Sequence, residues 1–252
     1  MRAFILAAGY ATRLYPLTRD RPKPLLEIGG KPLLTHLVER LAPLRDLREI
    51  VVVGNARFEA QYQAWAGRTP TPAPIRVLND GSTEEGNRLG AIADLAFALD
   101  RTPEGDDMIV AAGDNLIEFE LRPFQETFLE RRRPLLLVRP VEDAADQGRY
   151  NEVTLDPAGR VVAFREKPAD RRSSLAAIAL YFFPADVAPL VRRYLEGGKN
   201  PDAPGYFLEW LVGQRPVEAA RFEGAWHDIG SLQSLAAAQA GHKAAASGLW
   251  NG

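Results

Sequence analysis

Short apolar runs recur along the first half of the chain, each followed by a segment with helical spacing. Ala3 to Ala8, Ile50 to Val53, Ile75 to Leu78 and Met108 to Ala112 contain almost nothing but aliphatic residues. Runs this short and this apolar fit strands covered on both faces rather than half-exposed ones. Between them, Leu33 to Leu44 repeats apolar residues at Leu33, Leu34, Leu37, Val38, Leu41 and Leu44, and Arg57 to Ala66 sets Phe58, Tyr62 and Trp65 on one side of a helix. Gly90 to Leu99 reads as a third helix. Such alternation predicts an α/β fold with a doubly wound, mainly parallel sheet.

The second half is more mixed. Leu121 to Arg132 reads as a helix and Pro134 to Val138 as a strand. Glu152 to Asp156 and Arg160 to Phe164 flank Pro157-Ala-Gly159 and predict a β-hairpin inserted in the sheet. Leu175 to Phe183 is a strand, Val187 to Leu195 a helix, and the segment from Pro201 enters another helix. Val217 to Phe222 is a strand, and Ser231 to Ala246 an Ala-rich helix with Ser231 as its N-cap.

Composition removes several classes of chemistry. A chain of 252 residues suits one large α/β domain or two small ones. It has no cysteine, which excludes disulfides, thiolate zinc sites and cysteine nucleophiles. Its three histidines, His36, His227 and His242, do not make a metal cluster. A net charge of −2 gives no footprint for a nucleic-acid partner. No run reaches the length of a membrane span and the N-terminus lacks the layout of a signal peptide, so a soluble cytoplasmic protein is expected.

Chemistry concentrates where strands end. Ala3 to Ala8 runs into Gly9, where backbone amides can approach a ligand closely. The next segment carries Arg13 and Lys23 and is broken by Pro16, Pro22, Pro24 and Pro32, so it is a fixed loop rather than a helix. A forked guanidinium and a point-charge ammonium beside a strand's carboxyl end suit phosphate groups. Neither glycine-rich phosphate motif is present. Met108-Ile-Val-Ala-Ala-Gly113-Asp114 delivers a carboxylate to the same edge. Mg²⁺ takes one or two carboxylates together with phosphate oxygens. A turn Asp capping the segment from Leu116 to Arg132 is the other reading of Asp114.

Leu6-Ala-Ala-Gly9, Thr12-Arg-Leu14, Pro16-Leu-Thr18 and Pro22-Lys-Pro-Leu25 together resemble the signature of the nucleotidyltransferases that activate sugar 1-phosphates. Gly113-Asp114, Arg165-Glu-Lys-Pro168 and Gly224-Ala-Trp-His-Asp-Ile-Gly230 resemble the family's later signatures, in the family's order. The resemblance implies a Rossmann-like sheet, with residues 1–115 binding nucleotide, 116–234 binding the acceptor, and 235–252 forming a terminal helix and tail of one domain. It implies transfer of NMP from an NTP to a sugar 1-phosphate, with release of pyrophosphate. Asp114 and Asp228 are then the Mg²⁺ ligands, and Arg13, Lys23 and Lys167 the cations on phosphate. Leu6, Ala7, Ala8, Gly9, Asn79, Asn87, Gly90 and Gly113 surround the nucleotide, while Glu166, Asn151, Ala179 and Glu209 surround the acceptor.

Three departures from the family's pattern bear on specificity. The polar loop from Asn79 to Asn87 stands where relatives are richer in Gln and Gly, and Asn151 and Ala179 stand where many relatives have Gly. Side chains at the last two positions narrow or repolarise an acceptor pocket. A cytidylyltransferase for phosphocholine or a polyol phosphate is the alternative enzyme. A silent nucleotide-sugar sensor is the alternative of another class, which retention of both Asp and all three cations opposes. A glycosyltransferase would carry Asp-x-Asp where this chain has Gly113-Asp114-Asn115.

Overall fold

The computed structural model describes residues 1–141 and 148–246, with side chains described up to residue 242. The tail expected beyond residue 246 lies outside the described residues. The elements run β1 (Arg2–Leu6), β2 (Glu27–Ile28), β3 (Lys31–Pro32), α1 (Leu33–Leu41), β4 (Glu49–Gly54), α2 (Glu59–Ala66), β5 (Ile75–Asn79), α3 (Ala91–Leu99), β6 (Met108–Ala112), β7 (Asn115–Ile117) and α4 (Arg122–Arg131). They continue as β8 (Leu135–Pro140), β9 (Glu152–Leu155), β10 (Val161–Arg165), β11 (Leu175–Phe183), α5 (Ala188–Glu196), α6 (Pro204–Val212), β12 (Glu218–Arg221), β13 (Trp226–Asp228) and α7 (Leu232–Ala246).

Nine strands form one sheet in the order β10-β9-β11-β6-β1-β4-β5, with β8 beside β11 and β12 beside β8. The pairs β6-β1-β4-β5 are parallel. β11 runs antiparallel to β6, β8 and β9, so the sheet is mixed in its second half. Alternation along each parallel strand explains the continuous apolar runs. Ala3, Ile5 and Ala7 face one core layer with Ile50, Val52, Ile109 and Ala111. Phe4 and Leu6 face the other with Val51, Val53, Met108 and Val110. Each fully buried side chain of this size contributes about 1.5–3 kcal/mol relative to exposure, so the central strands are rigid supports for whatever their tips carry.

The proline-broken segment after β1 forms no long helix. Two 3₁₀ turns, Thr12–Leu14 and Lys23–Leu25, lead into the small β2–β3 hairpin. Leu14 anchors the segment in a third core cluster with Leu26, Ile28, Leu33, Leu116, Ile229 and Leu235. The Thr18 hydroxyl donates to the Ala11 carbonyl at 2.8 Å. Residues after Asp114 do not form the capped helical segment open in the sequence. Asn115–Ile117 is a strand, and it pairs with β13 outside the main sheet. Ser231 caps α7 as expected, its hydroxyl accepting from the Ser234 amide at 3.1 Å. Among the described residues, no helix is long and apolar enough to cross a membrane.

Candidate active site

The tips of β1 and β6 and the first turn of α3 enclose a cleft of about 240 Å³. Leu6, Ala7, Ala8 and Gly9 form its floor, with Lys23, Gly90, Asp114 and Ala179 around it. The floor is held from behind. Tyr62 donates its hydroxyl to the Ala7 carbonyl at 2.7 Å, and Asn55 Nδ2 donates to the Ala8 carbonyl at 2.8 Å. The Gly113 amide donates to the Leu6 carbonyl, and a Cβ at Gly113 would press on Ala7 Cβ at 3.1 Å. The amides of Ala8, Gly9, Tyr10 and Ala11 have no acceptor among the described residues, and Ala8, Gly9 and Ala11 line the cleft.

The small β7–β13 sheet brings the two aspartates together. Its register sets Asp228 opposite Asn115, one residue after Asp114. Asn115 is buried and acts as the clamp: its Oδ1 accepts from Trp226 Nε1 at 2.7 Å and its Nδ2 donates to the Ala112 carbonyl at 3.3 Å. The Ile229 amide donates to the Asp114 carbonyl at 3.2 Å. Burial, then the charge of Asp114, pushes the Asp228 carboxyl up from its ordinary value, while Lys23, Arg149 and Lys167 pull it down. Lys23 Nζ lies 2.5 Å from Asp114 Oδ2. Two carboxylates that repel each other are the kind of pair a divalent cation takes as ligands.

Alternation along β13 turns His227 away from this cluster. Its ring lies against Gly241 of α7, and burial lowers its pKa. Lys167 sits at φ +45°, a left-handed conformation uncommon for a side chain of its size. Its Nζ is 3.7 Å from Glu166 Oε1. The Glu166 carboxylate is buried beside α6, where a Cβ at Gly205 would overlap it, and burial raises its pKa. Glu209 lies on the exposed side of α6, with Oε2 3.4 Å from the Glu166 amide. Arg13 is exposed on the first 3₁₀ turn and has no ion-pair partner among the described residues.

Of the expected site residues, Arg13, Gly113, Glu166, Lys167, Glu209, Asp228, Asn79, Asn87 and Asn151 do not line this cleft, and Asp228 lines a neighbouring one with Arg149 and Tyr150. In the three Asn the side-chain amide is already used. Asn79 Nδ2 donates to Glu59 and its Oδ1 accepts from the Gly81 amide, both at 2.8 Å. Asn87 Oδ1 accepts from the amides of Thr83 and Glu84, and its Nδ2 donates to Thr83 Oγ1 at 3.1 Å. Asn151 bridges both peptide groups of Ala177, accepting at 2.7 Å and donating at 2.9 Å. It continues the β9–β11 register beyond Leu175 and Val153, its side chain taking the place of a backbone ladder partner.

The sequence reading also missed residues that line the cleft. Arg88 and Asp202 form an ion pair at its rim. Asp94, on the first turn of α3, is 5% exposed and reaches the cleft wall. Burial, then the neighbouring Asp80, pushes its carboxyl up to about 8. The signal was available: Asp94 is the one acid in the otherwise apolar Ala91-Ile-Ala-Asp-Leu-Ala-Phe-Ala-Leu99.

A consequence for stability follows from Asp94. The folded chain keeps a proton on it that the unfolded chain, with an ordinary carboxyl near 3.8, releases. Stability therefore falls as pH rises from about 4 to about 8. Asp94→Asn is expected to flatten that slope and to raise stability at pH 8.5 by on the order of 1 kcal/mol, or roughly 3 °C in Tm. Thermal denaturation of both proteins at pH 5.5 and 8.5 checks this, and an unchanged slope would refute the assignment.

The sequence matches the nucleotidyl transferase family over residues 2–244, and the chain belongs to that family. It is 26% identical over 244 residues to glucose-1-phosphate thymidylyltransferase from Streptomyces antibioticus, covering 93% of this chain and 64% of the relative. It is 25% identical over 237 residues to UTP–glucose-1-phosphate uridylyltransferase AglF from Haloferax volcanii, covering 91% of each. The chain thus spans less than two thirds of the first relative's length. In fold it superposes on a UDP-glucose pyrophosphorylase solved with UDP-glucose, with a TM-score of 0.80, 18% identity, and coverage of 96% of this chain and 98% of that one.

Proposed function

We propose that this chain transfers a nucleotidyl group from a nucleoside triphosphate to a sugar 1-phosphate, giving a nucleoside-diphosphate sugar and pyrophosphate. The observation that carries the reading is the electrostatic coupling of Asp228 to Asp114, Lys23 and Lys167, with Asp114 and Lys23 lining the cleft whose floor is Leu6 to Gly9. The relatives named for thymidylyl and uridylyl transfer to glucose 1-phosphate support the acceptor class.

The triphosphate lies over the amides of Ala8 to Ala11, with Arg13 gripping its outer phosphates from the exposed turn. The acceptor phosphate is already largely dianionic near neutral pH, its second pKa being about 6, so it attacks without a general base. Lys23 and Lys167 neutralise the two anions as they meet, which is the main barrier to such a reaction. Asp114 and Asp228 hold Mg²⁺, which when bound supplies charge stabilisation at the reacting phosphate. Glu166 orients sugar hydroxyls, with Ala179 forming the adjoining wall and Glu209 steadying the Glu166 backbone. Asn79, Asn87 and Asn151 serve the architecture of their loops instead. Charged metabolites as substrates suit a cytoplasmic enzyme.

The test combines dTTP, UTP, CTP and GTP with a panel of sugar 1-phosphates, phosphocholine and polyol phosphates in the presence of Mg²⁺. Pyrophosphate release matched by nucleoside-diphosphate sugar is expected with at least one sugar 1-phosphate. Turnover confined to phosphocholine or polyol phosphates, or none at all, would overturn the reading.

A further inference from the structure

Helix α6 opens with Pro204 and Gly205. Proline suits the first position of a helix, since its φ is preset and an N–H there would have no partner within the helix. Glycine at the next position needs another reason, because it is the poorest helix former after proline. Gly205 is buried within the helix and has no left-handed backbone that would demand glycine. The reason is space. A Cβ at this position would lie 2.5 Å from Glu166 Cδ, 3.2 Å from its Cγ, and closer still to Oε2.

The backbone on both sides of this contact is held. Arg165, the last residue of β10, pairs with Glu152 of β9, and Pro168, two residues past Glu166, is buried. Phe207, Leu208 and Leu211 root α6 in the second core layer, and Phe207 packs edge-on against Phe183 and Tyr194. Glu209 lies one turn beyond Gly205 on the same helix face, with Oε2 3.4 Å from the Glu166 amide. One face of α6 therefore meets both the side chain and the backbone of Glu166. The Glu166 side chain is 8% exposed, and its ion-pair partner among the described residues is Lys167 at 3.7 Å. Neither of its oxygens is among the sealed, unpartnered polar atoms, so the carboxylate keeps acceptor capacity for a donor from outside the chain.

We infer that Gly205 is a positioning residue of the acceptor site: by carrying no side chain, it lets α6 seat the Glu166 carboxylate where a hydroxyl of the sugar 1-phosphate donates to it. The inference rests on the proposed function. A methyl group at 205 crowds the far end of a flexible side chain rather than backbone. Glu166 then swings aside and the fold survives, but the carboxylate no longer stands where the acceptor needs it. Misplacing a substrate-orienting group by about 1 Å is enough to cost a large factor in turnover of that substrate.

The test measures KM for the sugar 1-phosphate and for the triphosphate in Gly205→Ala, Glu166→Ala and the double variant, with Tm for each. Gly205→Ala is expected to raise the acceptor KM by roughly tenfold or more, while the triphosphate KM stays within about twofold of wild type. Glu166→Ala should raise the acceptor KM as well. Adding Gly205→Ala to Glu166→Ala should then change the acceptor KM by less than about twofold, because nothing remains to be displaced. It should also raise Tm there, since alanine is the better helix former. An unchanged acceptor KM in Gly205→Ala would overturn the inference. So would a Gly205→Ala effect that persists in full beside Glu166→Ala, or an acceptor KM that Glu166→Ala leaves unchanged. Should Gly205→Ala alone fail to fold, recovery of the fold in the double variant would support the seat, and continued misfolding would overturn it. Absence of pyrophosphate release by the wild type with every triphosphate and sugar 1-phosphate would instead strike the proposed function.

Discussion

Asp114→Asn is expected to abolish turnover, lowering kcat at least a thousandfold, while leaving the fold intact. Asp114 stands just past the tip of β6, whose body is locked between β1 and β11, so the substitution leaves the strand's own packing in place. What it removes is one of two mutually repelling carboxylates and the partner of Lys23. A neutral amide does not replace a charged oxygen ligand of a hard cation. Titration calorimetry with Mg²⁺ and the nucleotide should show weakened metal binding. Relief of repulsion at Asp228 offsets the lost ion pair, so Tm should stay within a few degrees. Asp228→Asn should behave alike. Substantial Mg²⁺-dependent activity in either variant would remove the aspartates from the chemistry.

Lys23→Ala and Lys167→Ala are expected to lower kcat by about a hundredfold or more each, the usual loss when one charge-stabilising contact in a transition state is removed, about 3 kcal/mol. The two differ in their effects on stability. Lys23 is mostly buried against Asp114, and its loss leaves that carboxylate unpaired. Lys167 is 58% exposed and strained at φ +45°. Lys167→Gly should therefore be as inactive as Lys167→Ala but more stable than it by roughly 1 kcal/mol, since glycine adopts this conformation freely. Near-wild-type kcat in Lys167→Gly would show that the ammonium is not in the reaction and that the strain serves only the turn.

The parallel core was legible because period and position carry it. Ala3 to Ala8 and Met108 to Ala112 are apolar on both faces, and both prove to be central strands. The positions of those strand tips were equally readable: Gly9 and Asp114, each just after an apolar run, line one cleft. The base loop was not. Asn79 and Asn87 have the right groups for a nucleobase, but loops of this kind need Asn amides to close their own turns, and in this chain the turns take them. Asn151 is a similar case: nothing local announces that its side chain prolongs the β9–β11 ladder by bonding both peptide groups of Ala177. β7 and β13 are only three residues each, too short for periodicity, though the expected convergence of Asp114 and Asp228 depends on them. Asp94 was visible as a charge on an apolar helix face, but its pairing with Asp80 is a product of the tertiary fold.

Direct transfer within this cleft is tested most sharply by the stereochemistry at the α-phosphorus. The described residues around Asp114 and Asp228 include carboxylates and cations but no cysteine, and His227 is turned onto α7. A single in-line displacement by the acceptor phosphate is the route these groups support, and His227→Gln should retain substantial activity. With an α-phosphorus-chiral thiotriphosphate and a sugar 1-phosphate, the product is expected to show inversion. Net retention would require two displacements and a covalent nucleotidyl-enzyme, and would contradict direct transfer.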